Sequence, residues 1–195
     1  MDAAGTIVGR GVFATVHLEL SATKKQRAVK VYEHAGNGES QQMHNLHLKS
    51  EIRLAGRLTH AHIIAPHEVR IGALRTELVM EYAPHGTLEA YTHRLGPMGM
   101  PEAEGRRLFE GLRAAVAYLH GQGFAHRDVK LDNVMLDASW QARLIDFGSA
   151  QDVKTFNSLT SERSAPWGST SAKAPTVERI LLMQGTPGYM GPEAL

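Results

Sequence analysis

Two periodicities run through the first half of the chain. Val16, Leu18 and Leu20 alternate with His17, Glu19 and Ser21, the two-residue rhythm of a half-buried strand. A second strand is predicted over residues 27–32, where Ala28 and Lys30 share one face. The rhythm then lengthens. From 43 to 58, Leu48, Ile52, Ala55 and Leu58 recur at helical spacing, and Glu51 lies on the same side. A carboxylate on an apolar stripe needs a partner. Residues 77–80 read as a further strand, followed by a connection punctuated by Pro84 and Gly86. The longest helix is predicted over 101–120. Pro101 suits its first position and Glu102 and Glu104 its first turn, while Gly121 and Gly123 suit its end. Leu108, Leu112, Ala115, Val116 and Leu119 form its apolar face. A short strand at 142–145 leads into Asp146.

Composition narrows the class without naming a chemistry. A length of 195 residues allows one domain or two small lobes. A hydrophobic content of 43% with 21% charged residues suits a soluble globular chain that can bury a core. A formal charge of +1 predicts no strong attraction to nucleic acid or membrane. The absence of cysteine excludes disulfides and cysteine-based metal sites. No apolar run is long enough to span a bilayer, and the first residues lack the blocks of a signal peptide. A cytoplasmic or nuclear location is the default expectation. His44 and His47 could share a helix face, but they lack a matched partner set. The 11 histidines therefore read as scattered solvated side chains.

The densest chemistry lies between 126 and 148. His126, Arg127 and Asp128 are followed by Lys130, Asn133 and the apolar triplet Val134, Met135 and Leu136, then by Asp146, Phe147 and Gly148. Far upstream, Gly9 and Gly11 sit where two strands would meet, and glycine lets a backbone come close to phosphate oxygens. In this order the residues resemble a eukaryotic-type protein kinase domain, Ser/Thr branch. The resemblance implies an α+β, two-lobed fold. It places an N-lobe antiparallel sheet with one main helix over 1–82, a hinge at 83–88, and the start of a mostly helical C-lobe over 89–195.

The resemblance also implies roles. ATP and magnesium are the expected cofactors. Asp128 becomes the base that takes the hydroxyl proton, and Lys130 sits beside the transferring phosphate. Lys30 reaches the α- and β-phosphates and is the partner that Glu51 needs. Asn133 and Asp146 become the metal ligands. The nucleotide cradle falls to Val8, Gly9, Arg10, Gly11, Val16, Ala28, Lys30, Met80, Glu81, Ala83 and Met135. Of these, Met80 is the gatekeeper, and Glu81 and Ala83 offer backbone contacts to adenine. Ala14 stands where the family has a third glycine, which implies a stiffer loop. Ala55 replaces a larger apolar residue, which implies a looser helix. Lys130 and the segment 185–193 imply a protein substrate with a Ser or Thr acceptor, and Thr186 is expected to bridge Asp128 and Lys130. Asp132, just before Asn133, implies basic residues upstream of the acceptor. No nucleic-acid or membrane partner is implied.

Residues 157–176 are rich in small polar residues, as disordered segments are. Arg127 implies a phosphate docked upon it, yet residues 180–183 offer no hydroxyl, so Thr176 is the nearest upstream candidate. The family domain continues with helices past the position of Leu195, one of which pairs an arginine with the carboxylate matching Glu193. The chain is therefore expected to be a truncated domain that alone is poorly stable, tends to aggregate and shows little or no kinase activity. The alternative reading is a non-catalytic nucleotide-binding fragment or pseudokinase-like scaffold.

Overall fold

The computed structural model describes residues 5–34, 39–154 and 186. The expectations for Thr176, for Glu193 and for the segment 185–193 apart from Thr186 lie outside the described residues. A five-stranded antiparallel sheet forms first, in the order β1-β2-β3-β5-β4. Its strands are β1 (Thr6–Arg10), β2 (Thr15–Leu20), β3 (Gln26–Glu33), β4 (Glu68–Ile71) and β5 (Arg75–Glu81). β3 is central, pairing with β2 from Thr15↔Val31 to Leu20↔Gln26 and with β5 from Arg27↔Glu81 to Glu33↔Arg75. Its Val29, Val31 and Tyr32 are buried, as β-branched and aromatic residues on a covered pleat should be. Leu20 departs from the predicted inward face. It is 63% exposed, because it ends the β2–β3 hairpin opposite exposed Gln26.

α1 spans Glu39–Leu54, so it begins four residues before the predicted start and stops four before the predicted end. The apolar stripe begins only at Met43, whereas polar helix formers such as Gln42 extend the helix backward. The forward stop lies at Gly56, whose φ of +69° is left-handed. Leu58 is buried all the same, in the lower core. The loop beyond is tied down by Ile64 N–H to Leu144 O at 3.0 Å and Leu144 N–H to His62 O at 2.8 Å.

Below the sheet lie α2 (Leu88–Leu95) and α3 (Glu102–Gly121). Thr87 caps α2, its hydroxyl accepting from Ala90 N–H at 3.1 Å. Pro101 precedes α3 as its cap and not as its first residue. The predicted apolar face of α3 holds: Leu108, Ala115 and Leu119 are buried, with Leu112 and Val116 packed beside them. Gly111 belongs to that face too. A Cβ there would come within 2.7 Å of the His62 ring, so the close approach of His62 requires glycine. Against α3 lie two small two-stranded sheets, the hairpin of β7 (Val134–Leu136) with β8 (Ala142–Leu144), and the pair of β6 (Phe124–Ala125) with the distant β9 (Gln151–Asp152). The lower core joins Leu54, Leu119, Leu136, Leu144 and Phe147, so α1 and the cleft loops share one apolar base. No helix of the described residues is long and apolar enough to cross a membrane.

Candidate active site

A cleft of ≈ 800 Å³ opens between the sheet and the helices. Its roof is the β1–β2 turn, where Val8, Gly9, Arg10 and Gly11 line the wall with Val16 from β2. The turn closes through Gly11 N–H to Ala14 O at 2.9 Å. The Ala14 methyl packs on the Tyr32–Leu48–Leu78 cluster, so this side chain anchors the turn to the sheet. Ala28 from β3, Met80 from β5 and Met135 from β7 give the cleft an apolar interior. Glu81 and Ala83 line its back, in the connection between sheet and helices. Every site residue predicted from the sequence lines this one cleft.

Three charges meet at its inner end. Lys30 Nζ donates to Glu51 Oε1 at 2.6 Å and to Asp146 Oδ1 at 3.0 Å. Glu51 is 1% exposed, and its Oε2 has no hydrogen-bond partner among the described residues. Burial pushes the Glu51 carboxyl up to about 8, against the pull of the Lys30 ammonium. Burial also opposes the charge on Lys30, but the Glu51 and Asp146 carboxylates outweigh it and hold the ammonium well above its ordinary value. Asp146 goes the other way. Burial resists its ionisation, yet Lys30 and the Gly148 N–H hold its carboxyl well below the usual carboxylate range. With two carboxylates facing one ammonium, ionisation is easier at Asp146 than at Glu51.

The second group of side chains comes from the segment between β6 and β7. Asn133 donates from its amide nitrogen to Asp128 O at 2.7 Å and to Asp128 Oδ2 at 2.8 Å. Lys130 Nζ stands 3.3 Å from Asp128 Oδ2 and donates to Thr186 Oγ1 at 2.7 Å. Thr186 in turn donates to Asp128 Oδ1 at 2.6 Å. The expected bridge between Asp128 and Lys130 is therefore present. Arg127 and Asp146, with φ of +68° and +63°, hold left-handed backbone beside this chemistry. Asn133 makes both of these bonds through its nitrogen, so its amide oxygen and the ionised Asp146 carboxylate are hard oxygen donors suited to a small divalent cation.

Histidines do more here than the solvated reading allowed. His126 is 2% exposed. Its Nε2–H donates to Ile145 O at 2.9 Å, and its Nδ1 accepts from Asp128 N–H at 3.3 Å. Those bonds fix the neutral tautomer, and burial lowers its pKa from the ordinary value. The unfolded chain takes up a proton near 6.5 that the folded one refuses, so this stability is present above that pH and lost as pH falls below it. The melting temperature should drop more steeply from pH 7 to 5 in the wild type than in His126→Gln, which keeps a donor and an acceptor without titrating. Equal pH slopes in thermal melts would reject the assignment.

His47 also departs from the solvated reading. It packs on Phe13 of the β1–β2 turn, with ring centroids 4.4 Å apart and planes tilted by 33°, and burial lowers its pKa. A Cβ on Gly148 would meet its Nδ1 at 2.3 Å, so glycine is required there by contact with α1. The signal was available: His47 lies one turn before Glu51, on the same helix face. Gln151 was missed. Its Oε1 accepts from Arg127 at 2.6 Å, and no local pattern marks a two-residue strand.

Residues 3–195 match the family model of the protein kinase domain. The chain is 34% identical over 195 residues to the putative CBL-interacting protein kinase 13 of Oryza sativa subsp. japonica, covering 98% of this chain and 33% of that protein. It is 34% identical over 192 residues to CBL-interacting protein kinase 4 of the same plant, covering 98% and 38%. It is 33% identical over 141 residues to NUAK family SNF1-like kinase 2 of Rattus norvegicus, covering 72% and 22%. The chain spans about a third of the length of the first curated relatives it matches.

Proposed function

The chain belongs to the protein kinase domain family, and on that premise we propose that its cleft binds ATP with magnesium and passes the γ-phosphoryl group to a Ser or Thr hydroxyl of a protein. The observation that carries this reading is the convergence of Asp128, Lys130 and Asn133 with the Lys30–Glu51–Asp146 cluster across one cleft. Phosphoryl transfer asks mainly for positioning and charge neutralisation, and these side chains offer both. Lys30, held by Glu51, faces the α- and β-phosphates. Asn133 and Asp146 would hold the magnesium, which draws off charge from the phosphate oxygens when bound. Asp128 accepts the proton of the attacking hydroxyl, and Lys130 faces the transferring group. Ala28, Met80 and Met135 enclose a planar base, while backbone groups of Glu81 and Ala83 read its edge.

The acceptor surface adds a preference. Glu89, at the head of α2, is raised above its ordinary value by hydrogen bonding to Asp132. Two crowded carboxylates, with Asp132 on the cleft wall, favour a cationic side chain on the incoming peptide. A positional peptide library with labelled ATP tests both parts. Magnesium-dependent labelling of Ser and Thr, enriched for Arg or Lys a few residues upstream, is expected. Absence of transfer to any peptide would reject the activity, and enrichment for acidic or proline-directed sites would reject the preference alone.

A further inference from the structure

The β7–β8 hairpin carries a strained residue that the cleft chemistry leaves without a role. Trp140 has φ of +56°, a conformation glycine adopts freely and a bulky side chain rarely. The turn does not need the indole. Asp137 shapes it, with Oδ1 accepting from the N–H of Ser139 at 2.9 Å and of Gln141 at 3.0 Å. Strain that persists is held by contacts, and here the contacts lead to the connection between sheet and helices. The indole stacks on His85, with centroids 3.8 Å apart and planes 14° apart. Tyr91 of α2 closes on the indole at 5.5 Å. Arg107 of α3 donates to Trp140 O at 2.9 Å, and Arg94 of α2 donates to His85 O at 3.3 Å.

His85 is the far end of that connection. Its N–H bonds Leu136 O at 3.2 Å, and Leu136 N–H bonds Gly86 O at 2.9 Å. At the near end, Arg143 of β8 donates to Glu81 Oε2 at 2.8 Å while also holding Asp137 at 3.0 Å and Ile63 O at 3.2 Å. One hairpin thus grips the connection on both sides of Ala83, and the same hairpin supplies Met135 to the cleft. We propose that Trp140 is a positioning residue for nucleotide affinity: its stack on His85 restrains the 81–86 backbone that meets the edge of the base. The affinity role rests on the reading of the cleft as an ATP site. The chemical step, which runs through Asp128 at the other end of the cleft, is untouched by it.

The test compares wild type with Trp140→Gly, Trp140→Phe, His85→Ala and the Trp140→Gly/His85→Ala pair. Glycine relaxes the left-handed residue, so that variant loses the ring without losing the turn. Hydrogen exchange on nucleotide-free protein reads the restraint, and calorimetric titration with ATP reads its consequence. Exchange over 81–86 should quicken in Trp140→Gly while β8 stays protected, and Trp140→Phe should restore most of the protection. ATP affinity should weaken by about threefold to tenfold, the range expected for one aromatic pair, with kcat at saturating ATP unchanged. The double variant should lose little more than either single one. Unchanged exchange over 81–86, losses spread evenly through the hairpin, or strictly additive losses would overturn the proposal. A wild-type protein that binds no ATP would overturn the cleft reading and the affinity role with it, whereas the exchange comparison still decides whether the ring restrains the connection.

Discussion

Asp128→Asn is expected to lower kcat by roughly 10²–10⁴ while ATP binding survives, the range usual for removing a general base. Asparagine matches the shape of aspartate but cannot take the proton of the attacking hydroxyl. It also inverts one contact. Asp128 Oδ2 now accepts from the Asn133 amide at 2.8 Å and faces the Lys130 ammonium at 3.3 Å, and an NH₂ group there would face two donors. The amide will therefore turn, giving its oxygen to Asn133 and Lys130 and presenting its nitrogen to Thr186, whose hydroxyl can accept. The loop should keep its shape, and ATP, which on the proposed reading meets Lys30 and the 81–83 backbone, should bind as before. Steady-state kinetics at saturating ATP beside a calorimetric titration make the comparison. Unchanged turnover would remove Asp128 from the role of base.

How much was legible in the sequence follows the range of each signal. Local periodicity found β2 and α3 because alternation and helical spacing depend on neighbours a few residues away, whereas the strand carrying Lys30 was read with the family resemblance. The Asp128–Asn133 and Asp146–Gly148 stretches were legible because their residues stand close in sequence and act together. The partnership of Lys30 with Glu51 came from the family resemblance. The apolar stripe showed only that Glu51 lacked a partner, and a separation of 21 positions carries no spacing rule. Contacts that depend on packing were not legible. Nothing local to His47 says that it will press on Gly148, about a hundred residues away, or that Phe13 will pack upon it. Nor does Trp140 announce a left-handed backbone, since the turn signal in Asp137 and Ser139 is compatible with many residues at that place. The histidines illustrate the same limit. A composition rule treats them as surface residues, whereas His62, His126 and His47 are held by a carbonyl, a loop amide and a ring that only the folded chain brings near.

Lys30→Met and Glu51→Gln are each expected to impair phosphoryl transfer by on the order of 10²-fold, the loss that a displacement of about 1 Å in a positioned group can produce. The two side chains meet at 2.6 Å in a site where Glu51 is 1% exposed, so neither position has an independent way to hold the ammonium over the phosphates. Glu51→Gln takes away the carboxylate that aims Lys30 but leaves a neutral group of nearly the same shape. Since burial opposes the charge on Glu51, a neutral amide of the same shape should cost little stability. Lys30→Met removes the cation itself and leaves Asp146 without the partner that keeps its carboxyl low. Once the ammonium is gone, there is nothing left for Glu51 to aim. The double variant should then be about as slow as Lys30→Met alone, far above the product of the two single losses. Single-turnover rates for the four proteins, with thermal melts to exclude unfolding, give the coupling directly. Strictly multiplicative losses would mean that the 2.6 Å contact does not govern where Lys30 stands during transfer.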